Sequence, residues 1–423
     1  MPASEGVKNI RRETGSTFTP RSSAVTPGTK IVVDKKAGPS RWYRFNLWLH
    51  RWCSLVATLP FLVLCLSGTV LIFHKEIDAA LGVVPTAQDL DSASRLPLTR
   101  SVDNVLAAFP GERVLTVGID EEEHPGVVLL VTAPEQERRF DHYRLRYARL
   151  ADARPIADAA ARPTSTLTGF LLELHAHWFL GMPGELLGAL IALLVLVSLL
   201  SGVVVYWPHV KKVAFGLLRR GHGPRLRQLD LHNTLGAVVL GWAFTVSLTG
   251  FLLGFGTLAQ GVWQRTELTA LQRQYSGPPV DRLRPPVDVD RAGAAALTAM
   301  PARWHVISII LPDTDFSTNR HYTVLVGGQG LDERLFQVAL VDATSGRVPA
   351  VVELPGYLKA IALSQPLHFG DYGGLPLKIL WTLCAWLTLF ITGNGAWLWW
   401  DRRRRRRPRD AGEPAPAARR PGR

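Results

Sequence analysis

The chain has 423 residues, a net charge of +13 and a hydrophobic share of 47%, the share of an ordinary soluble protein. Its basic residues abut long apolar runs, which assigns them to membrane topology and anionic lipid rather than to nucleic acid. The three cysteines, Cys53, Cys65 and Cys384, form no CxxC, which excludes a disulfide framework and a thiolate metal site.

Residues 1–40 are polar, basic and rich in Ser, Thr and Pro, and are expected to be a disordered cytoplasmic N-terminus. They lack the short apolar core and small-residue cleavage site of a secretory signal. Lys8, Arg11, Arg12, Lys35, Lys36, Arg41 and Arg44 then precede a charge-free run, Cys53 to Phe73. It exceeds the roughly 20 residues needed to cross a bilayer, so 41–74 is read as the first transmembrane helix. Pro60 inside it is tolerable where neighbouring groups re-satisfy the freed backbone.

Residues 75–174 form a polar segment. Its pattern predicts a helix over Ser101 to Ala108 and strands over Arg113 to Ile119, Gly126 to Val131 and Tyr143 to Leu150. A second apolar run, Leu186 to Trp207, marks a helix within 175–208, followed by a basic loop, 209–230, with Lys211, Lys212, Arg219, Arg220, Arg225 and Arg227. The third run, Leu235 to Leu258, lies in 231–258. The second polar segment, 259–366, repeats the first: a helix over Val289 to Ala299, then strands over Trp304 to Ile310, His321 to Val326 and Leu335 to Asp342. The fourth run, Ile379 to Trp400, lies in 367–400, and Arg402 to Arg407 open a basic tail, 401–423.

By the positive-inside rule the three basic segments are cytoplasmic, and the two polar segments lie across the membrane, in the periplasm of a bacterium. The expected fold is an α-helical integral inner-membrane protein. It has four transmembrane helices, arranged as two repeated pairs, and two α+β periplasmic domains.

The repeat extends to four histidines. His50 and His232 each stand three residues before their apolar run, and His50 precedes Gly68 by the same spacing as His232 precedes Gly250. That spacing is five helical turns, about 27 Å, so histidine and glycine share a helix face. His175 and His368 precede their runs, at Leu186 and Ile379, by equal offsets and are followed at equal offsets by Gly181-Met182-Pro183 and Gly374-Leu375-Pro376. These Gly-x-Pro elements read as turns into proline-initiated helices. Each run also carries one small pair: Ser67-Gly68, Ser201-Gly202, Thr249-Gly250 or Thr392-Gly393. Two readings of these stand, close helix approach or space cleared for a planar macrocycle.

Inside-facing termini pair His50 with His232 near the cytoplasm and His175 with His368 near the periplasm. Neutral imidazole suits haem iron, and two axial histidines leave no open position, which favours electron transfer. Without a CxxCH the cofactors would be two haem b groups. Zinc or copper is the competing ligand, but carboxylate or thiolate co-ligands are missing. One ambiguity concerns His177, which is spaced from Gly202 as His368 is from Gly393, whereas the Gly-x-Pro offset selects His175. Most of the other histidines, His74, His124, His142, His209, His222, His305 and His321, are assigned to surface roles.

Leu49-His50-Arg51-Trp52, Ser67-Gly68-Thr69 through Phe73-His74-Lys75-Glu76, Leu174-His175 with Gly181 to Gly184, Leu231-His232 and Leu367-His368-Phe369-Gly370 resemble the PepSY-associated transmembrane helix family. Asp342 to Gly346 is similar to the aspartate-to-glycine turn of PepSY domains, and the first polar segment has no clear copy. The resemblance implies an iron-regulated inner-membrane protein related to di-haem ferric-siderophore reductases, with the four histidines as axial ligands. It also implies a separate donor, a flavin reductase or quinol, since the flavin domain of some relatives is missing, and a ferric siderophore or other periplasmic acceptor. Two readings without haem remain: a membrane-anchored peptide-binding or protease-regulating protein, and a transporter.

Overall fold

The computed structural model describes residues 40–83, 95–119, 124–156, 165–210, 216, 218–219, 223–328 and 335–406. The expected disorder of the N-terminus, the basic stretch at Lys211 and Lys212, His222 and the end of the tail therefore lie outside the described residues.

Helix α1 (Arg41–Leu71) is followed by α2 (His74–Ala80) and α3 (Leu98–Ala108), then by strands β1 (Glu112–Ile119), β2 (Val127–Pro134) and β3 (Arg144–Arg149). Helix α4 (Thr166–Leu172) runs into a π-helical turn, Glu173–His177, and then α5 (Met182–Val210). Next come α6 (Pro224–Leu253), α7 (Gly256–Trp263), α8 (Thr269–Gln274) and α9 (Val289–Thr298). Strands β4 (His305–Ile310), β5 (His321–Gly327), β6 (Gln337–Asp342) and β7 (Ala350–Glu353) precede α10 (Gly356–Phe369) and α11 (Gly374–Arg406).

Four helices, α1, α5, α6 and α11, are long and apolar enough to cross a membrane. They form a bundle in which α1 packs on α5, α5 on α6, α6 on α11 and α11 on α1. Two of them begin well before their apolar runs. In α1 the added turns carry Trp42, Phe45, Trp48 and Trp52 as one exposed stripe at helical spacing, the amphipathic aromatic side chains that suit a membrane interface. In α6 the added turns start at Pro224, pre-set for a first helical position. His50 and His232 lie within these helices, and α6 starts earlier than the expected 231.

The strands from the two polar segments do not make separate sheets. They form one seven-stranded antiparallel sheet in the order β3-β2-β1-β4-β5-β6-β7. The join is β1 to β4, with Thr116 opposite Ile310, Val117 opposite Ile309 and Gly118 opposite Ser308. Each of these strands would otherwise leave an open edge, and pairing them satisfies both rows of backbone groups. Both also bulge at matching places, between Val114 and Thr116 and between Val306 and Ser308.

Helices α3 and α9 cover one face of the sheet. Val105, Val114, Val117, Leu130, Ala292, Ala296, Ile309, Tyr322 and Val324 form a single core there. Polar links also tie the segments together. Asp290 in the first turn of α9 accepts from the backbone N–H groups of Leu98 and Thr99 at the start of α3, both at 2.8 Å, satisfying orphan donors of that helix. The fully buried Arg113 guanidinium of β1 donates to the carbonyls of Pro312 at 2.8 Å and Asp313 at 3.1 Å, beyond β4.

Candidate metal-binding histidine pairs

The bundle brings the four predicted histidines together in the two expected pairs. The ring centroids of His50 and His232 are 6.4 Å apart with planes crossed at 73°. Those of His175, in the π-helical turn, and His368, next to last in α10, are 6.1 Å apart and crossed at 64°. The pairs sit at opposite ends of α1 and α6: His50 and His232 near the helix starts, and His175 and His368 beside Gly68 and Gly250.

Each ring has a defined tautomer. Nδ1 of His50 lies 2.8 Å from the Ser198 carbonyl, that of His232 3.2 Å from the Ile391 carbonyl, and that of His368 3.0 Å from the Val246 carbonyl. Nδ1 of His175 lies 2.9 Å from Ser67 Oγ, a hydroxyl that already donates to Val63 O at 2.8 Å. Carbonyl oxygen only accepts, so Nδ1 carries the proton on the rings of His50, His232 and His368, and the Ser67 hydroxyl, its own proton given to Val63, accepts from Nδ1 of His175. Nε2 keeps its lone pair, the state a neutral imidazole needs to ligate a metal.

The separations fit one ion per pair. With a metal–nitrogen distance of about 2.0 Å and a ring centre about 1.1 Å from its nitrogen, two collinear axial imidazoles have centroids ~6.2 Å apart. Both pairs fall at that value. Among the described residues no group of three or more His, Cys, Asp or Glu side chains could hold a metal. A tetrahedral zinc site is thus poorly served, while a group that brings its own four equatorial nitrogens needs only two protein ligands.

Glycines back all four rings. A Cβ on Gly68 would stand 3.0 Å from Cε1 of His175, and one on Gly202 3.0 Å from that of His50. The same atom of His368 meets Gly250 at 3.0 Å, and that of His232 meets Gly395 at 3.2 Å. Gly393, paired in sequence with Thr392, is exposed and faces nothing within 4 Å. This corrects the register: the spacing from His175 to Gly202 equals that from His368 to Gly395, with Asn394 in the place of Ser201. Counting to Gly393 had drawn His177 into consideration. Its ring points elsewhere, with Nδ1 3.2 Å from Glu173 and Nε2 3.5 Å from Glu185.

Two other histidines are buried rather than at the surface. His321 in β5 has Nδ1 2.9 Å from the Thr318 hydroxyl and faces Asp342 at 3.7 Å. His124 packs on the ring of Tyr147. Neither approaches the paired rings.

Four bilayer-length helices and a separate antiparallel sheet define a membrane protein with an added extramembrane region. The model of the PepSY-associated TM region matches residues 47–402, and the chain belongs to that family. It is also similar to an uncharacterized protein of Pseudomonas aeruginosa, with 26% identity over 259 residues that span 55% of this chain and 63% of the relative's length.

Proposed function

We propose that this protein is a di-haem b-type transmembrane electron carrier of the bacterial inner membrane, built as a duplicated helix pair, with both termini in the cytoplasm. The observation that carries the reading is the placement of two imidazole pairs at opposite ends of the bundle, with every Nδ1 held by a carbonyl or, for His175, by the Ser67 hydroxyl. His50 and His232 would hold one haem on the cytoplasmic side, and His175 and His368 the other on the periplasmic side. Haem at these positions supplies a reversible one-electron site near each membrane face. The paired histidines would hold each haem from both sides, which would suit electron transfer and leave no open site for oxygen.

The donor is then a separate cytoplasmic or membrane component, a flavin reductase or a quinol, and the acceptor lies on the sheet side. A ferric siderophore fits the family resemblance: one electron lowers the charge on the iron and weakens its hold by hard oxygen ligands. The sheet is continuous across the two polar segments, so the acceptor would dock on its surface rather than in a cleft between two domains.

The test is the absorption spectrum of the full-length protein, purified in detergent after haem-replete expression. The expected result is a reducible low-spin b-type spectrum with two haems per chain. A haem-free protein would overturn the carrier and return the chain to a membrane-anchored peptide-binding role.

A further inference from the structure

We infer that Gly68, Gly202, Gly250 and Gly395 are positioning residues that set the rotation of the four imidazoles, and that they hold each pair of ring planes crossed. The inference rests on the haem reading and adds residues outside the ligand set. Small residues in membrane helices ordinarily let a second helix approach. Here the nearest atoms that a Cβ would meet are imidazole atoms at all four positions. Gly236, Gly241 and Gly393, in the same spans, meet nothing within 4 Å.

The carbonyls fit the same pattern. On three rings Nδ1 bonds to the carbonyl of the residue four before the glycine that the ring touches, Ser198 for Gly202, Val246 for Gly250 and Ile391 for Gly395, and on the fourth, His175, it meets Ser67 Oγ, next to Gly68. In a helix the residue four before lies one turn below the glycine, on the same face. The bare Cα lets the ring edge lie against the helix, and the carbonyl below catches Nδ1 and fixes the ring's rotation. Two imidazoles fixed by two different helices then cross, at 73° for one pair and 64° for the other. A methyl group at 3.0–3.2 Å from Cε1 would push the ring by a few tenths of an ångström and turn it off its carbonyl.

Ring crossing has its own spectroscopic signature. In ferric bis-imidazole haem, crossed planes give the broad, highly anisotropic low-spin electron paramagnetic resonance (EPR) signal, and parallel planes give a well-resolved rhombic one. The experiment is low-temperature EPR and haem quantitation on the full-length protein and on Gly202→Ala, Gly250→Ala and Gly393→Ala. The wild type is expected to show two crossed-plane signals. G202A should shift or remove one, G250A the other, and G393A neither. A rhombic wild-type spectrum overturns the proposal without any variant, as does a G202A or G250A protein with both signals unmoved. A wild type with no haem removes the carrier reading itself, and the inference falls with it.

Discussion

Replacing His368 by Ala should remove one haem and leave the other nearly undisturbed. The substitution leaves His175 facing an alanine across a gap built for two rings at 6.1 Å, while His50 and His232 keep their carbonyl partners. The sites are separated along α1 by the stretch from His50 to Gly68, about 27 Å, too far for direct contact effects. What remains between them is charge. A ferric bis-imidazole porphyrin carries one net positive charge at the metal, so an oxidised neighbour favours reduction of its partner. At ~27 Å and an effective dielectric of ~20 this is about 0.6 kcal/mol, or roughly 27 mV for a one-electron couple. Haem quantitation should therefore find half the wild-type content, and redox titration should find the survivor lowered by about 27 mV or less. His232→Ala should give the mirror result, and the double variant should bind none. Loss of both haems or of neither from H368A would refute the pairing, and a shift of ~100 mV would refute the separation.

Three further outcomes follow from the same geometry. His177→Ala should retain both haems, since that ring faces Glu173 and Glu185; loss of the H368A-sensitive haem would make it the ligand in place of His175. In the sheet, burial pushes the Glu112 carboxyl up, but hydrogen bonds from Arg146, Thr132 and Arg144 hold it down at about 2. Its folded value is below the unfolded one, so its stabilisation is complete above pH ~4.5 and is lost as pH falls toward ~2. The ceiling is about 3 kcal/mol, reduced by the exposure of Arg144. Glu112→Gln should flatten the acid side of the stability profile, read by protease susceptibility against pH, and an unchanged acid limb would discount the cluster. Val117→Pro in β1, whose neighbours are Leu130 on one side and Ile309 on the other, should expose both polar segments to protease together. Cleavage confined to one segment would show that the halves fold separately.

Much of the site was legible because membrane helices expose their period directly. Charge-free runs fixed the spans, and equal offsets picked out the four histidines. Strands β1, β3, β4, β5 and β6 fall within two residues of the ranges their alternation predicts. The misses have physical causes. The expected start of the third helix, 231, falls seven residues after Pro224 because hydropathy ends where the polar and arginine-bearing turns begin. The short edge strand β7, Ala350–Glu353, offers too few positions for a periodic signal. Helices α2, α4, α7, α8 and α10 have no counterpart in the sequence reading, since none carries a spanning run. The β1 to β4 join is a pairing between distant segments, invisible to local pattern.

Under the proposed haem reading, the glycine register gives the repeat a purpose. His50 of α1 rests on Gly202 of α5, and His175, just before α5, rests on Gly68 of α1. The first half thus contains a complete ring cradle at each end of the bundle. The second half does the same through His232 on Gly395 and His368 on Gly250. Neither half holds a pair, because both rings of a pair come from different halves. Two-fold arrangements work this way: each partner offers the same surface, and a residue on the axis meets its own counterpart. Axial coordination asks for two equivalent ligands on opposite sides of one centre, which a duplicated helix pair supplies without any other change. The requirement acts on ligand, glycine and carbonyl together, so the offsets from histidine to glycine must agree between halves. They do: His50 to Gly68 matches His232 to Gly250, and His175 to Gly202 matches His368 to Gly395, whereas the loops between them, which bear no such constraint, differ in length.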